Sequence, residues 1–136
     1  MAAIELTLLG TGTPLPAVNR CGAGTLVQSG DSTVLIDCGW GACRRLFAAG
    51  VPLGKIDTIF FTHMHSDHIT DLPDLLMMRW TVGGATVPLT IYGPAGTREA
   101  VEGFRAGLNP DVRYRIAHHG DKLPPAGIDV VVHETP

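Results

Sequence analysis

Ile56-Asp57-Thr58-Ile59-Phe60-Phe61 runs without a break into Thr62-His63-Met64-His65-Ser66-Asp67-His68. The first six residues are mostly apolar, with β-branched and aromatic side chains, which predicts a buried strand. Four potential ligands then fall within six residues. His63 and His65 are two apart, so on extended backbone their side chains share a face. Asp67 and His68 follow as the chain turns toward a helix, and can face a second ion. Imidazole and carboxylate suit zinc, manganese or iron. A paired-metal centre holds its ions ~3.5–4 Å apart and acts on attacking and leaving oxygens together. An isolated histidine is most often structural or exposed. Three histidines and an aspartate at this spacing, straight after a strand, are read as a metal site.

Downstream, Asp67 to Trp80 is predicted to be one helix. Leu72, Leu75, Leu76 and Arg79/Trp80 recur at helical spacing, and Pro73 suits a first turn. Asp71 and Asp74 would then favour the N-terminal half of the helix dipole. Leu89 to Tyr92 is a strand stopped by Gly93-Pro94. Thr97 to Leu108 is helical, with Thr97 as N-cap and Glu99 in the first turn. Arg113 to Ala117 and Ile128 to Val132 are two late strands.

Upstream, Ile4 to Leu9 enters a core and ends at Gly10-Thr11-Gly12-Thr13-Pro14, where glycine and proline force a loop. Gly24 to Gln28 and Thr33 to Ile36 flank Ser29-Gly30-Asp31-Ser32 as a hairpin. Ala42 to Ala49 is a helix stopped by Gly50. Strands first, then strand alternating with helix, predict an α/β fold with a mixed sheet.

The 136 residues are one domain's worth, and 45% hydrophobic against 17% charged is a globular balance. No apolar run approaches the ~20 residues of a membrane helix. Met1-Ala2-Ala3-Ile4-Glu5 lacks a basic region followed by an apolar stretch, so no signal peptide is expected. Cys21, Cys38 and Cys43 form no C-x-x-C pair, which suits reduced thiols and a cytoplasmic location. Cys21 and Cys38 are expected to be small buried residues, and Trp40 and Trp80 to serve packing. The net charge of −3 lacks the basic footprint usual in nucleic-acid binders.

The histidine loop resembles the signature of the metallo-β-lactamase superfamily. The surrounding sequence is similar to its ribonuclease Z branch. Leu9-Gly10-Thr11-Gly12-Thr13-Pro14-Leu15-Pro16, Leu35-Ile36-Asp37-Cys38-Gly39, Phe61-Thr62-His63 through Leu72-Pro73, and Ile91-Tyr92-Gly93-Pro94-Ala95-Gly96-Thr97 carry the resemblance. It implies an αβ/βα sandwich of which residues 1–136 are the N-terminal part. It implies two zinc ions, with manganese or iron as substitutes, and a metal-activated hydroxide attacking a phosphodiester. His63 and His65 would hold one metal. Asp67 and His68 would hold the other, with Asp67 also moving protons as the catalytic residue. Asp37 would orient the loop by hydrogen bonds rather than bind metal.

Family members are longer and supply further ligands from a second half. A catalytic zinc wants about three protein ligands, and this stretch gives each metal two. His118, His119 and His133 are the remaining histidines; a surface or structural role is expected for the first two, and His133 arrives too early to match the family's next ligand. The leading expectation is a metal-dependent phosphodiester hydrolase acting on precursor-tRNA 3′ ends. A same-fold hydrolase of small esters (arylsulfate, cyclic phosphodiester, lactone or thioester) is the first alternative. A non-catalytic metal-binding half-domain, completed by a partner chain or a homodimer, is the second. An exposed sheet edge and face are expected to drive self-association, and no membrane contact is expected.

Overall fold

Three short β-rich runs with tight breaks make the first layer. In a computed structural model describing residues 3–136, Glu5–Gly10 (β1), Gly24–Ser29 (β2) and Ser32–Ile36 (β3) form an antiparallel meander. Met1 and Ala2, part of the stretch read above for a signal, lie outside the described residues. The β2–β3 hairpin pairs Ser29 with Ser32. Gly30 takes the positive φ of 57° that so tight a turn demands.

From β3 onward the sheet is parallel. Thr58–Phe60 (β4), Leu89–Gly93 (β5) and Val130–Glu134 (β6) extend it in the spatial order β1-β2-β3-β4-β5-β6. Parallel neighbours need crossovers, and helices supply them. Ala42–Ala48 (α1) links β3 to β4; Ser66–Ile69 (α2) and Leu72–Thr81 (α3) link β4 to β5; Thr97–His119 (α4) links β5 to β6. The α/β fold and mixed sheet expected from the sequence are present.

The period of two along each strand divides the sheet faces. Leu26, Leu35, Ile59, Ile91 and Val132 stand in register across β2 to β6, and all are buried. They share one core with Leu46 of α1, Leu72, Leu75, Leu76 and Trp80 of α3, and Val101 of α4. The opposite face carries Leu8, Ile36, Phe60, Tyr92 and His133 in a second register row. Leu8 is 69% exposed and Phe60 42% exposed. The sheet is therefore packed on one side only.

Arg79 fastens the lower end of the parallel strands. It is fully buried, and its guanidinium donates to the carbonyls of Ile56, Val87 and Gly127 at 2.6, 3.0 and 3.0 Å. Those carbonyls precede β4, β5 and β6, where loop backbone would otherwise be buried unpaired. Trp80 is buried in packing, as expected, and its indole N–H donates to the Pro124 carbonyl at 2.9 Å.

Two expected elements differ. The single helix over Asp67 to Trp80 is broken at Thr70-Asp71 into α2 and α3. Asp71 accounts for the break: its N–H donates to the Cys38 carbonyl at 3.0 Å, and its Oδ2 accepts the Cys43 N–H at 2.6 Å. The carboxylate thus caps the first turn of α1, a neighbouring helix. The expected strand over Arg113 to Ala117 is helical instead, because α4 runs on to His119 through Pro110. Val101, Phe104, Leu108 and Val112 pack on the core at steps of three and four, so the apolar stripe continues past the proline. Gly120, at φ 57°, ends the helix.

Candidate metal centre

The ends of β3 and β4 lie side by side, with Ile36 paired to Phe60. One residue beyond, Asp37 adopts φ +60°, the one non-glycine residue with positive φ among those described. This costs of order 1–2 kcal/mol and persists only where surrounding bonds enforce it. Its N–H donates to the Phe60 carbonyl at 2.9 Å. Its buried carboxylate accepts the Thr62 N–H on Oδ1 at 2.8 Å. On Oδ2 it meets the Thr62 hydroxyl and His68 Nδ1, both at 2.8 Å. The strand end is thereby tied to both ends of the histidine loop.

Backbone contacts fix the rest. The Asp67 carbonyl accepts the Ala23 N–H at 3.0 Å, and the His68 carbonyl accepts the Cys38 N–H at 2.7 Å. Glycine is required at position 39, because a Cβ there would collide with the Asp67 carbonyl oxygen. On the far side, the buried Thr97 hydroxyl lies 2.7 Å from the Pro94 carbonyl oxygen and 3.3 Å from Met64 Sδ. The residue between the first two histidines is thus seated against the start of α4.

Within this frame the four predicted ligands converge. His63 Nε2 lies 3.0 Å from His65 Nδ1. The His63 and His68 ring centroids are 4.0 Å apart. His68 Nε2 is 3.6 Å from Asp67 Oδ2, while Asp67 Oδ1 is buried with no hydrogen-bond partner. Two nitrogens each ~2.0–2.1 Å from a tetrahedral ion stand roughly 3.3 Å apart, so the His63–His65 pair has the spacing of two ligands. A buried carboxylate with an unpartnered oxygen is also chemically suited to a cation. The donor chemistry fits a zinc-class ion. No cluster of three or more such groups with the geometry of a metal site occurs among the described residues.

The other histidines stand elsewhere. His118 and His119 pack edge to face at the end of α4, with ring centroids 4.7 Å apart. His133 stacks on Tyr92, and Tyr92 on Phe60, each at 4.9 Å, forming a ladder on the uncovered sheet face. Cys21, Cys38 and Cys43 are buried free thiols. Burial, with the carboxylates of Asp71 and Asp74 among the further causes, holds the Cys38 thiol well above its ordinary range. Burial also raises the carboxyl of Asp71, against the pull of the Cys43 and Gly41 N–H groups.

Thr62, the Met64–Thr97 contact and Gly39 are the parts of the site that reading the sequence missed. Thr62 offered only its place in the chain, a hydroxyl between a buried strand and a predicted ligand. Its partner Asp37 is 25 residues away and visible only in the fold.

A family model described as Anti-Pycsar protein Apyc1 matches residues 4–101. The chain is 48% identical over 132 residues to a ribonuclease Z of Mycobacterium avium (strain 104), covering 96% of this chain and 47% of that protein. It is 47% identical over 129 residues to a ribonuclease Z of Mycolicibacterium gilvum (strain PYR-GCK), covering 93% and 45%. The chain thus spans about half the length of the curated relatives it matches. Among solved structures, human tRNase Z, short form, superposes with TM-score 0.71 at 29% identity, over 95% of this chain and 43% of that one. The metallo-beta-lactamase fold protein YhfI from Bacillus subtilis gives TM-score 0.63 at 35% identity, over 73% and 39%. Residues 4–101 are well over half of the chain, so it belongs to the family described as Anti-Pycsar protein Apyc1, with the metallo-β-lactamase fold and alongside proteins named ribonuclease Z.

Proposed function

We propose that this chain is the N-terminal part of a metallo-β-lactamase-like domain in a metal-dependent phosphodiester hydrolase that processes precursor-tRNA 3′ ends. The observation that carries it is the convergence of His63, His65, Asp67 and His68 on a loop held by Asp37. His63 with His65, and Asp67 with His68, would hold two zinc-class ions. When bound, such ions polarise phosphoryl oxygens and make water a usable nucleophile at neutral pH. Asp67, whose carboxylate is buried beside His68, would also take a proton from the attacking water. His68 is held by Asp37 through Nδ1, which leaves Nε2 free to bind. Free thiols suit the cytoplasm. No helix among the described residues is long and apolar enough to cross a membrane. The uncovered sheet face favours association with a second copy.

The experiment is a substrate panel, run with zinc on a family-length protein that carries this chain and on the chain itself: precursor tRNA, a cyclic phosphodiester, an arylsulfate, a lactone and a thioester. Cleavage at the precursor 3′ end by the family-length protein, lost in Asp67→Ala, is the expected result. Turnover of a small ester without the precursor would assign the same centre to small-ester hydrolysis. Zinc uptake with no turnover at all would make the chain a binding half-domain that needs more protein to react.

A further inference from the structure

Thr62 stands at the junction of the bonds that orient the loop. Its hydroxyl oxygen lies 2.8 Å from Asp37 Oδ2 and 3.1 Å from Asp37 Oδ1. The same oxygen lies 3.1 Å from His63 Nδ1 and 3.4 Å from His68 Nδ1. A hydroxyl has one proton to give and two lone pairs to accept with. An ionised carboxylate only accepts, so the Thr62 proton goes to Asp37. The Thr62 oxygen is then an acceptor toward the imidazoles, and the nearer one is His63. His63 must therefore carry its proton on Nδ1, with its Nε2 lone pair directed at His65 Nδ1, 3.0 Å away. His68 reaches the same state directly, because its Nδ1 lies 2.8 Å from Asp37 Oδ2.

We propose that Thr62 is a positioning residue that passes the Asp37 carboxylate on to a second histidine. One buried carboxylate would then fix the tautomers of two ligands: His68 by direct contact, and His63 through the Thr62 hydroxyl. Both rings present Nε2 unprotonated, the state in which imidazole binds a cation. The inference rests on the metal-site reading of the loop. Its first readout is made without metal, so the two fail separately.

The test is nitrogen-15 NMR of the histidine rings in the metal-free 136-residue chain, in mildly alkaline solution, followed by zinc titration. In the wild type, His63 and His68 should both show the Nδ1–H tautomer. Thr62→Val should release His63 to the Nε2–H form while His68 keeps its tautomer, and zinc affinity should fall roughly 10–100-fold. Thr62→Ser should restore both readings. The relay is overturned by a wild-type His63 in the Nε2–H form, by an unchanged His63 in Thr62→Val, or by Thr62→Ser behaving like Thr62→Val. Should Thr62→Val fail to fold, the wild-type and Thr62→Ser spectra still decide it. Correct tautomers in a wild-type chain that takes up no zinc would uphold the relay and overturn the metal-site reading instead.

Discussion

Cys43 is a thiol with two carboxylates for neighbours. Burial pushes it from an ordinary value of 9.0 up to about 12, and Asp74 and Asp71 add to the shift. The fold accepts the neutral thiol, so the raised value is linked to stability. The contribution is complete below the unfolded value of 9.0 and is lost as pH rises from there through about 12. Urea midpoints should therefore fall across that window, and fall less steeply in Cys43→Ala. Parallel alkaline limbs in the two proteins would contradict this. At this scale the sequence was legible where chemistry is local. His63, His65, Asp67 and His68 suggest a metal site because four potential ligands crowd six residues, and the fold brings their side chains close. Gly39 and Thr62 were illegible because their demands come from distant partners, the Asp67 carbonyl and the Asp37 carboxylate. Asp37 became readable only through the family resemblance, and its left-handed φ gives that reading a physical footing.

Elements were read well where the pattern and the breaks agreed. The β2–β3 hairpin around Gly30 and the α1 stop at Gly50 fall where turn chemistry puts them. The helix expected over Thr97 to Leu108 runs on to His119, past Pro110. The Val101, Phe104, Leu108 and Val112 stripe outweighs the proline, since core burial outweighs local propensity. The α2–α3 break went unseen because Asp71 leaves its own helix to cap α1. The sheet itself carries a prediction. Leu6, Leu8, Val27, Val34, Ile36, Phe60, Tyr92 and Val131 fall on its uncovered face, and no Lys, Arg, Asp or Glu shares their two register rows. An uncharged apolar face meets its own copy without repulsion, and each well-buried large side chain contributes about 1.5–3 kcal/mol. The 136-residue chain should sediment as a dimer or larger, and Phe60→Glu should shift it toward monomer. A wild-type monomer at every concentration would contradict the association.

At the scale of the whole molecule, one face of the sheet is packed and the other is uncovered, and the proposed metal centre has two ligands for each ion. The chain spans about half the length of the ribonuclease Z relatives it matches. The fold class was legible from strand and helix order; how far the proposed centre is filled by this chain could be read only by counting candidate ligands against what zinc needs. The most direct test is zinc bound per chain at equilibrium, by dialysis and elemental analysis, for the wild type and for a His63→Ala/His65→Ala variant. The loop as an open metal centre predicts fewer than two tightly held zinc ions per wild-type chain and a clear loss of zinc in the variant. Equal zinc content in the two proteins would contradict it.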